Sequence, residues 1–260
     1  MKVKDVAAVI EAFAPLGIQE EWDNSGLCIG GPEDEVHGIL LGFDCTPALV
    51  DEAARTGADM IVTHHPLIFR GIKKINGDDP AGRAIIKAVK AGIAVYAAHT
   101  TADKVISGVS GAMAERLGLK NVRVLGDEGG TTGLGAVGDF PEPMDGMAAL
   151  AYVKERFGLK MIRSSKPSKG LIGRVAVCGG SGASLAGAAR ESGAGLYVSG
   201  DISYHHFFTP DDFMIMDIGH FESEADIVGI LFSLLRKNFP NFAIRISDEL
   251  KNSNPVYYYG

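Results

Sequence analysis

Six of the chain's seven histidines recur at one kind of place. His64 and His65 follow the apolar run Met60-Ile61-Val62-Thr63, and His99 follows Ile93-Ala94-Val95-Tyr96-Ala97. His205 and His206 come shortly after Val198-Ser199-Gly200-Asp201, and His220 comes just after Phe213-Met214-Ile215-Met216-Asp217-Ile218. One histidine behind a strand is an ordinary loop or core residue, but six at one recurring position are hard to explain by packing. Carboxylates accompany them: Asp103 lies four residues past His99, and Glu224 four past His220. Imidazole and carboxylate donors without thiolates suit zinc, manganese, iron or cobalt, and the ligand types do not choose among these.

His64-His65-Pro66 is the sharpest of these patterns. Adjacent side chains at a strand end are expected to diverge, so the two imidazoles could serve two different ions, and Pro66 stiffens the exit. Asp103 is a candidate hard ligand, although Asp also caps helices. His99 could ligate, or could orient a residue that does. His220 and Glu224 open an amphipathic pattern carrying Ile227, Ile230, Leu231 and Leu234, which places the pair at i and i+4 on one helical face. Glu222 then points elsewhere, in a first turn that favours acids. His205 is read as a general acid/base rather than a ligand, with Asp201 orienting it or polarising a water. Cys178-Gly179-Gly180-Ser181-Gly182 could present backbone amides to an anion. It matches neither a dinucleotide fingerprint nor a P-loop, and a tight strand–helix turn explains it about as well.

These residues need strands that end at a common edge. Gly38–Asp44, Met60–Thr63 and Ile93–Ala97 read as short apolar strands of a buried parallel sheet. Between them lie helical stretches, one capped by Thr46-Pro47 and ending near Gly57, the other spanning Ala81–Lys90 and closed by Ala91-Gly92. A weak internal repeat links Ala53–Thr63 to Ala188–Ser199, each preceded by a strand, Ile39–Phe43 and Arg174–Cys178. The expected fold is therefore α/β with parallel strands, in two related lobes, with ligands at the strand carboxyl ends. The expected division is 1–128 and 129–260, with Gly129–Gly133 and Ser164–Gly170 as connecting loops.

Bulk properties narrow the function. The net charge of −7 disfavours a dedicated duplex-DNA binder, so nucleic acid is an unlikely partner on charge alone. Arg163 with Lys166 and Lys169, and Arg236-Lys237, read as solvated surface. Three well-separated cysteines, Cys28, Cys45 and Cys178, with no CxxC pair, argue for reduced thiols in a cytoplasmic protein and act as small core hydrophobes. Trp22 reads as a packing residue more than a stacking platform. No stretch of about 18 uncharged apolar residues is present, so no membrane partner is expected.

At six ordered motifs the sequence resembles the GTP cyclohydrolase I type 2 homologue family, also called the NIF-three-like family. The motifs are Trp22-Asp23-Asn24-Ser25-Gly26-Leu27, Thr63-His64-His65-Pro66-Leu67-Ile68-Phe69, His99-Thr100 with Asp103, Gly179-Gly180-Ser181-Gly182, Gly200-Asp201 with His205, and Gly219-His220 with Glu224. Asn254-Pro255 near the end adds to them. One departure is Thr101-Ala102, where the family usually has Asn-Leu.

The resemblance implies a two-lobed α/β fold with a metal site between the lobes, and two divalent ions (zinc, iron or manganese). It also implies a ring-shaped homohexamer. Carried over position by position, His64 and Asp103 bind one ion, His65 and His220 the other, and Glu224 bridges them, with His99 just outside the ligand set. The absence of a large insertion implies that the extra domain of longer members is missing. Two metals with room for a bridging water give a hydroxide nucleophile near neutral pH, so the expected function is hydrolysis of a small heterocyclic or phosphorylated, nucleotide-like substrate. The competing readings are a metal-handling or metal-insertion protein and a regulatory assembly protein without catalysis.

Overall fold

A computed structural model describes residues 1–126 and 130–259. α1 (Val3–Phe13) buries Val3, Val6 and Ile10 at helical spacing. β1 (Gly26–Ile29) and β2 (Gly38–Gly42) follow. α2 (Pro47–Thr56) starts as expected: Thr46 Oγ1 accepts from the Leu49 amide at 3.2 Å, Pro47 sits in the first turn, and Gly57 stops the helix at φ 74°. β3 (Met60–Thr63), α3 (Pro80–Ala91), β4 (Ala94–Ala97) and the one-turn α4 (Thr100–Lys104) come next. Then come α5 (Val109–Arg116), β5 (Lys120–Val124), β6 (Ala136–Met144), α6 (Gly146–Phe157), β7 (Arg163–Ser164) and β8 (Ile172–Ser181). The chain continues through α7 (Ala186–Glu191), β9 (Leu196–Gly200), β10 (Met214–Asp217), α8 (His220–Glu224), α9 (Asp226–Asn238) and β11 (Ala243–Ile246).

The contacts divide the chain into two compact units, Met1–Ala102 with Ile227–Pro255, and Asp103–Asp226 with Val256–Gly260. The boundary expected between 128 and 129, and Gly129 at the start of the expected loop, lie outside the described residues. The first unit differs from the expected 1–128 because the chain returns to it. β11 pairs in parallel with β2, Ile244 opposite Ile39, and so completes a sheet of order β1-β4-β3-β2-β11. Glu52, buried on α2, accepts from Ser247 Oγ at 2.5 Å and from the Asp248 amide at 3.0 Å, which locks the returning segment in place.

In the first unit β2, β3 and β4 run parallel. Leu40, Ile61 and Val95 pack with Leu49, Val50 and Ala53 of α2 and with Ala84 and Ala88 of α3. The alternate residues Ile39, Leu41, Met60 and Val62 are equally buried, so both faces are covered, as unbroken apolar strands require. The second unit has a mixed sheet, β5-β6-β8-β9-β10-β7, in which β8, β9 and β10 are parallel. Val175, Val177, Leu196, Val198, Met214 and Met216 face α5 and α6. Ala176, Cys178, Tyr197 and Ile215 face α7.

Each unit thus carries a strand–helix–strand step, β2-α2-β3 or β8-α7-β9, followed by a third parallel strand and a single helical turn. This is the physical content of the repeat seen in the sequence. The single helix expected from His220 onward is interrupted at Ala225, between α8 and α9. Ile227 and Leu231 are buried as expected, joined by Val228 and Leu235, while Ile230 and Leu234 are half-buried. Cys45 and Cys178 are core residues whose thiols burial pushes up to about 12, which keeps them protonated. Among the described residues, no helix is long and apolar enough to cross a membrane.

Replacing Glu52 with Ala leaves a buried hydroxyl and a backbone amide without their acceptor. The variant should lose about 2 kcal/mol of stability, the order of a stranded buried donor pair. Thermal unfolding checks this; an unchanged midpoint would show that the carboxylate does not clamp the returning segment.

Candidate metal centre

In the first unit three imidazoles gather at the carboxyl ends of β3 and β4. The chain turns directly after β3, where Thr63 Oγ1 donates to the His65 carbonyl at 2.8 Å and the His65 amide donates to the Phe43 carbonyl at 3.1 Å. Strand alternation therefore stops at Thr63. The His64 and His65 rings converge, with centroids 4.9 Å apart, rather than diverging as expected. Each offers a ring nitrogen within 4.8 Å of the other. Phe43 packs on both rings, and the His99 ring lies 5.4 Å from each.

All three rings are held through Nδ1. His64 Nδ1 lies 2.8 Å from the Ala98 carbonyl oxygen, His65 Nδ1 2.8 Å from Asp44 Oδ1, and His99 Nδ1 2.6 Å from Asp23 Oδ1. A carbonyl only accepts, so His64 Nδ1 carries the proton and the neutral ring keeps its lone pair on Nε2. The carboxylates impose the same tautomer on His65 and His99. This is the arrangement by which metal-ligating histidines are oriented and made more basic. The Asp23 side chain is fully covered, and its Oδ2 also accepts from Ser25 Oγ at 2.7 Å, Thr100 Oγ1 at 2.5 Å and the Thr100 amide at 3.1 Å. Burial opposes its ionisation, but the bonds from His99, Ser25 and Thr100 outweigh that and hold the carboxyl well below the usual range.

In the second unit the equivalent edge carries Asp201 after β9 and His220 after β10. His220 and Glu224 share one face of α8, Nε2 to Oε2 at 3.0 Å, and Glu224 is buried. His220 Nδ1 lies 2.7 Å from Asp201 Oδ2, which also accepts from Ser181 Oγ at 2.8 Å. Burial raises the Asp201 carboxyl, but the bonds from His220 and Ser181 bring the net value below normal. Asp201 sits at φ 51°, a left-handed conformation that few non-glycine residues accept and Asp tolerates. Asp217 organises the loop below, accepting from the amides of Gly219 and Ile202 at 3.0 Å each and from Arg163 at 2.8 Å. Glu222 turns away, as expected, toward the Tyr258 hydroxyl, whose pKa burial and the Glu222 charge raise.

The glycine-rich segment has a different task from anion binding. Gly179 to Ser181 are the last residues of β8 rather than a turn beyond it. The Gly180 amide donates to Ser223 Oγ at 2.9 Å, and the Gly182 amide donates to the Gly180 carbonyl and Ser199 Oγ at 3.0 and 3.2 Å. A β-carbon at Gly180, where φ is +60°, would collide with Glu224 Oε1, and one at Gly200 would meet the His220 backbone at 2.9 Å. These glycines let α8 approach the sheet closely enough to bury Glu224.

Asp103 lies half-buried on α4. Its charge and that of Glu224 both add to burial in raising the Cys178 thiol, so both carboxylates lie within electrostatic reach of that sulfur. His205 is exposed on the short turn Tyr204–Phe207, between the Tyr204 and Phe208 rings. The partner of Asp201 is thus His220, not His205, because His205 sits beyond the bend that Asp201 makes. Asp44, two residues past the end of β2, orients His65, a role the histidine pattern in the sequence does not signal. The pairing of Asp23 with His99, 76 residues apart, has no sequence signal.

The model of the Duf34/NIF3 (NGG1p interacting factor 3) family matches residues 1–254. The chain belongs to the Duf34/NIF3 family. A GTP cyclohydrolase 1 type 2 homolog of Clostridium perfringens is 36% identical over 235 residues, 88% of each chain. One from Lactococcus lactis is 34% identical over 99% of both chains. The crystal structure of Staphylococcus aureus hypothetical protein SA1388 superposes on this family member with a TM-score of 0.90, at 26% identity, over 100% of this chain and 99% of that one.

Asp23 also makes a pH-dependent contribution to stability. A carboxyl held below its unfolded value, about 4, stabilises the fold fully above that value, and the contribution is lost as pH falls toward the depressed one. Asp23→Asn should therefore lower the unfolding temperature most at neutral pH, and the gap to wild type should shrink below about pH 4. A gap that is constant from pH 7 to pH 3 would contradict this.

Proposed function

We propose that this protein binds two divalent metal ions, zinc, iron or manganese, and uses them to hydrolyse a small heterocyclic or phosphorylated substrate. The observation that carries this reading is the set of imidazoles held at Nδ1 by carboxylates or a carbonyl, matched by a buried glutamate one helical turn from His220. Metal-ligating histidines are oriented in this way, and these rings, unlike the similarly held but exposed His37, are gathered at strand ends. His64, His65 and Glu224 are donors of a kind that could hold a metal ion. In this reading His64 and Asp103 serve one ion, His65 and His220 the other, and Glu224 is shared. A shared negative charge lowers the repulsion between two dications.

When bound, the ions supply a Lewis acid for a developing oxyanion and make water more acidic. The chain's own residues do the rest. Asp44 and the Ala98 carbonyl fix the tautomers of His65 and His64, and Asp201 fixes that of His220. Asp23 holds His99 beside the first pair. His205 moves protons. The name borne by the curated relatives supports a purine-like heterocycle as the substrate class.

Glu224 and His205 should separate on replacement. Zinc titration of apo Glu224→Ala should show weakened binding of both ions, whereas His205→Ala should bind two ions normally and lose turnover of whatever a metabolite screen identifies. Full-affinity binding of two ions by Glu224→Ala would remove the bridge. Two tightly bound ions with no turnover across the screen would overturn hydrolysis in favour of metal handling or regulatory assembly.

A further inference from the structure

Beside the first unit's imidazoles stands an aromatic corner that metal binding does not use. Trp22, Phe69 and His99 meet edge to face in all three pairs, at centroid distances of 5.8, 6.0 and 5.9 Å. His99 is the least exposed member. Trp22 is 56% exposed and Phe69 43%, although each is large enough to be costly to leave in water. The corner is held in place from both sides. Asn24 Nδ2 donates to the Ile68 carbonyl at 2.6 Å, tying the Trp22 turn to the Phe69 loop, and the adjacent Asp23 carries the bond to His99.

The loop that leaves this corner is basic in an acidic protein. Residues 66–77 hold Arg70, Lys73 and Lys74, ahead of Asp78 and the helix-capping Asp79 that close the loop, while the whole chain carries −7. All three side chains are exposed, and none forms an ion pair among the described residues. Elsewhere on the surface lysines such as Lys2, Lys4 and Lys169 sit against carboxylates. Two exposed rings, followed along the chain by three exposed cations, match a ligand with one flat aromatic face and one dianionic end.

We propose that Trp22 and Phe69, with Arg70, Lys73 and Lys74, form a subsite for a phosphorylated planar heterocycle. The ring stacks on the exposed face of Trp22 with Phe69 against its edge, since the two side chains stand 65° apart, and the phosphate is taken by the basic loop. The His99 ring touches both this corner and the His64–His65 pair, so a ligand seated here has its heterocycle beside the imidazoles. The subsite deepens the hydrolase reading by assigning the substrate class, and it rests on that reading for the reaction but not for binding.

Trp22 is the only tryptophan, so its emission reports directly on the corner. The full-length protein, kept in chelator so that no metal contributes, is titrated with adenosine 5′-monophosphate, adenosine and ribose 5-phosphate. The nucleotide should quench Trp22 saturably, and the other two should bind at least about tenfold more weakly. The combined Arg70→Ala, Lys73→Ala, Lys74→Ala variant should lose about tenfold in affinity for the nucleotide and none for adenosine. Phe69→Ala should weaken both alike, with circular dichroism confirming that each variant is folded. Absence of saturable quenching, equal affinity for nucleotide and nucleoside, or an unchanged triple variant would each overturn the subsite. A protein that binds the nucleotide as described yet hydrolyses nothing keeps the subsite and loses the reaction. Turnover of a substrate that leaves Trp22 emission unchanged keeps the reaction and loses the subsite.

Discussion

A hydrogen bond at Nδ1 is the constraint on which the site depends. Neutral imidazole has two tautomers, and only one directs its lone pair through Nε2. His64, His65, His99 and His220 each have Nδ1 against a fixed oxygen: a carbonyl for the first, and Asp44, Asp23 and Asp201 for the others. Three acceptors follow the parallel strands β2, β4 and β9, and the fourth, Asp23, precedes the antiparallel β1, so the sheets supply the orienting groups as well as the imidazoles. Buried acids of this kind are costly unless fully bonded. Asp23 meets that condition with five hydrogen bonds from four residues, Asn24, Ser25, His99 and Thr100.

Close approach of backbone is the second requirement, and it explains glycines that look like a nucleotide loop. A carboxylate on a one-turn helix can be buried only if the sheet beneath it has no side chains in the way. Gly179, Gly180 and Gly200 supply that space, and Ser223 fills the hydrogen-bonding need of the Gly180 amide. The strand order, though not the buried carboxylate, recurs in both units. Each places a one-turn helix after its third parallel strand, with His99 and Asp103 around one and His220 and Glu224 on the other.

Much of this was legible in the residues. Strand–helix alternation, the Thr46-Pro47 start, the Gly57 and Gly92 stops and the histidines behind strands all rest on local rules, and local rules survive folding. The i, i+4 pairing of His220 with Glu224 survived for the same reason. What was not legible depends on chain segments far apart in sequence. The return of β11 to β2 spans some two hundred residues, and no period in the sequence announces it. The convergence of His64 and His65 was misread because alternation was carried one residue past the end of β3, where the Thr63 side chain turns the backbone. The sequence leaves Asp201 open between orienting His205 and polarising a water, whereas strand pairing brings β9 beside β10 and hence Asp201 beside His220.

The proposed metal centre draws on preset imidazole and carboxylate donors and on no sulfur. X-ray absorption on the zinc-loaded protein tests it most directly. The account predicts nitrogen and oxygen neighbours at about 2.0–2.1 Å with the multiple scattering of imidazole, and no sulfur shell. A sulfur shell at about 2.3 Å, or a first shell without imidazole, would contradict it.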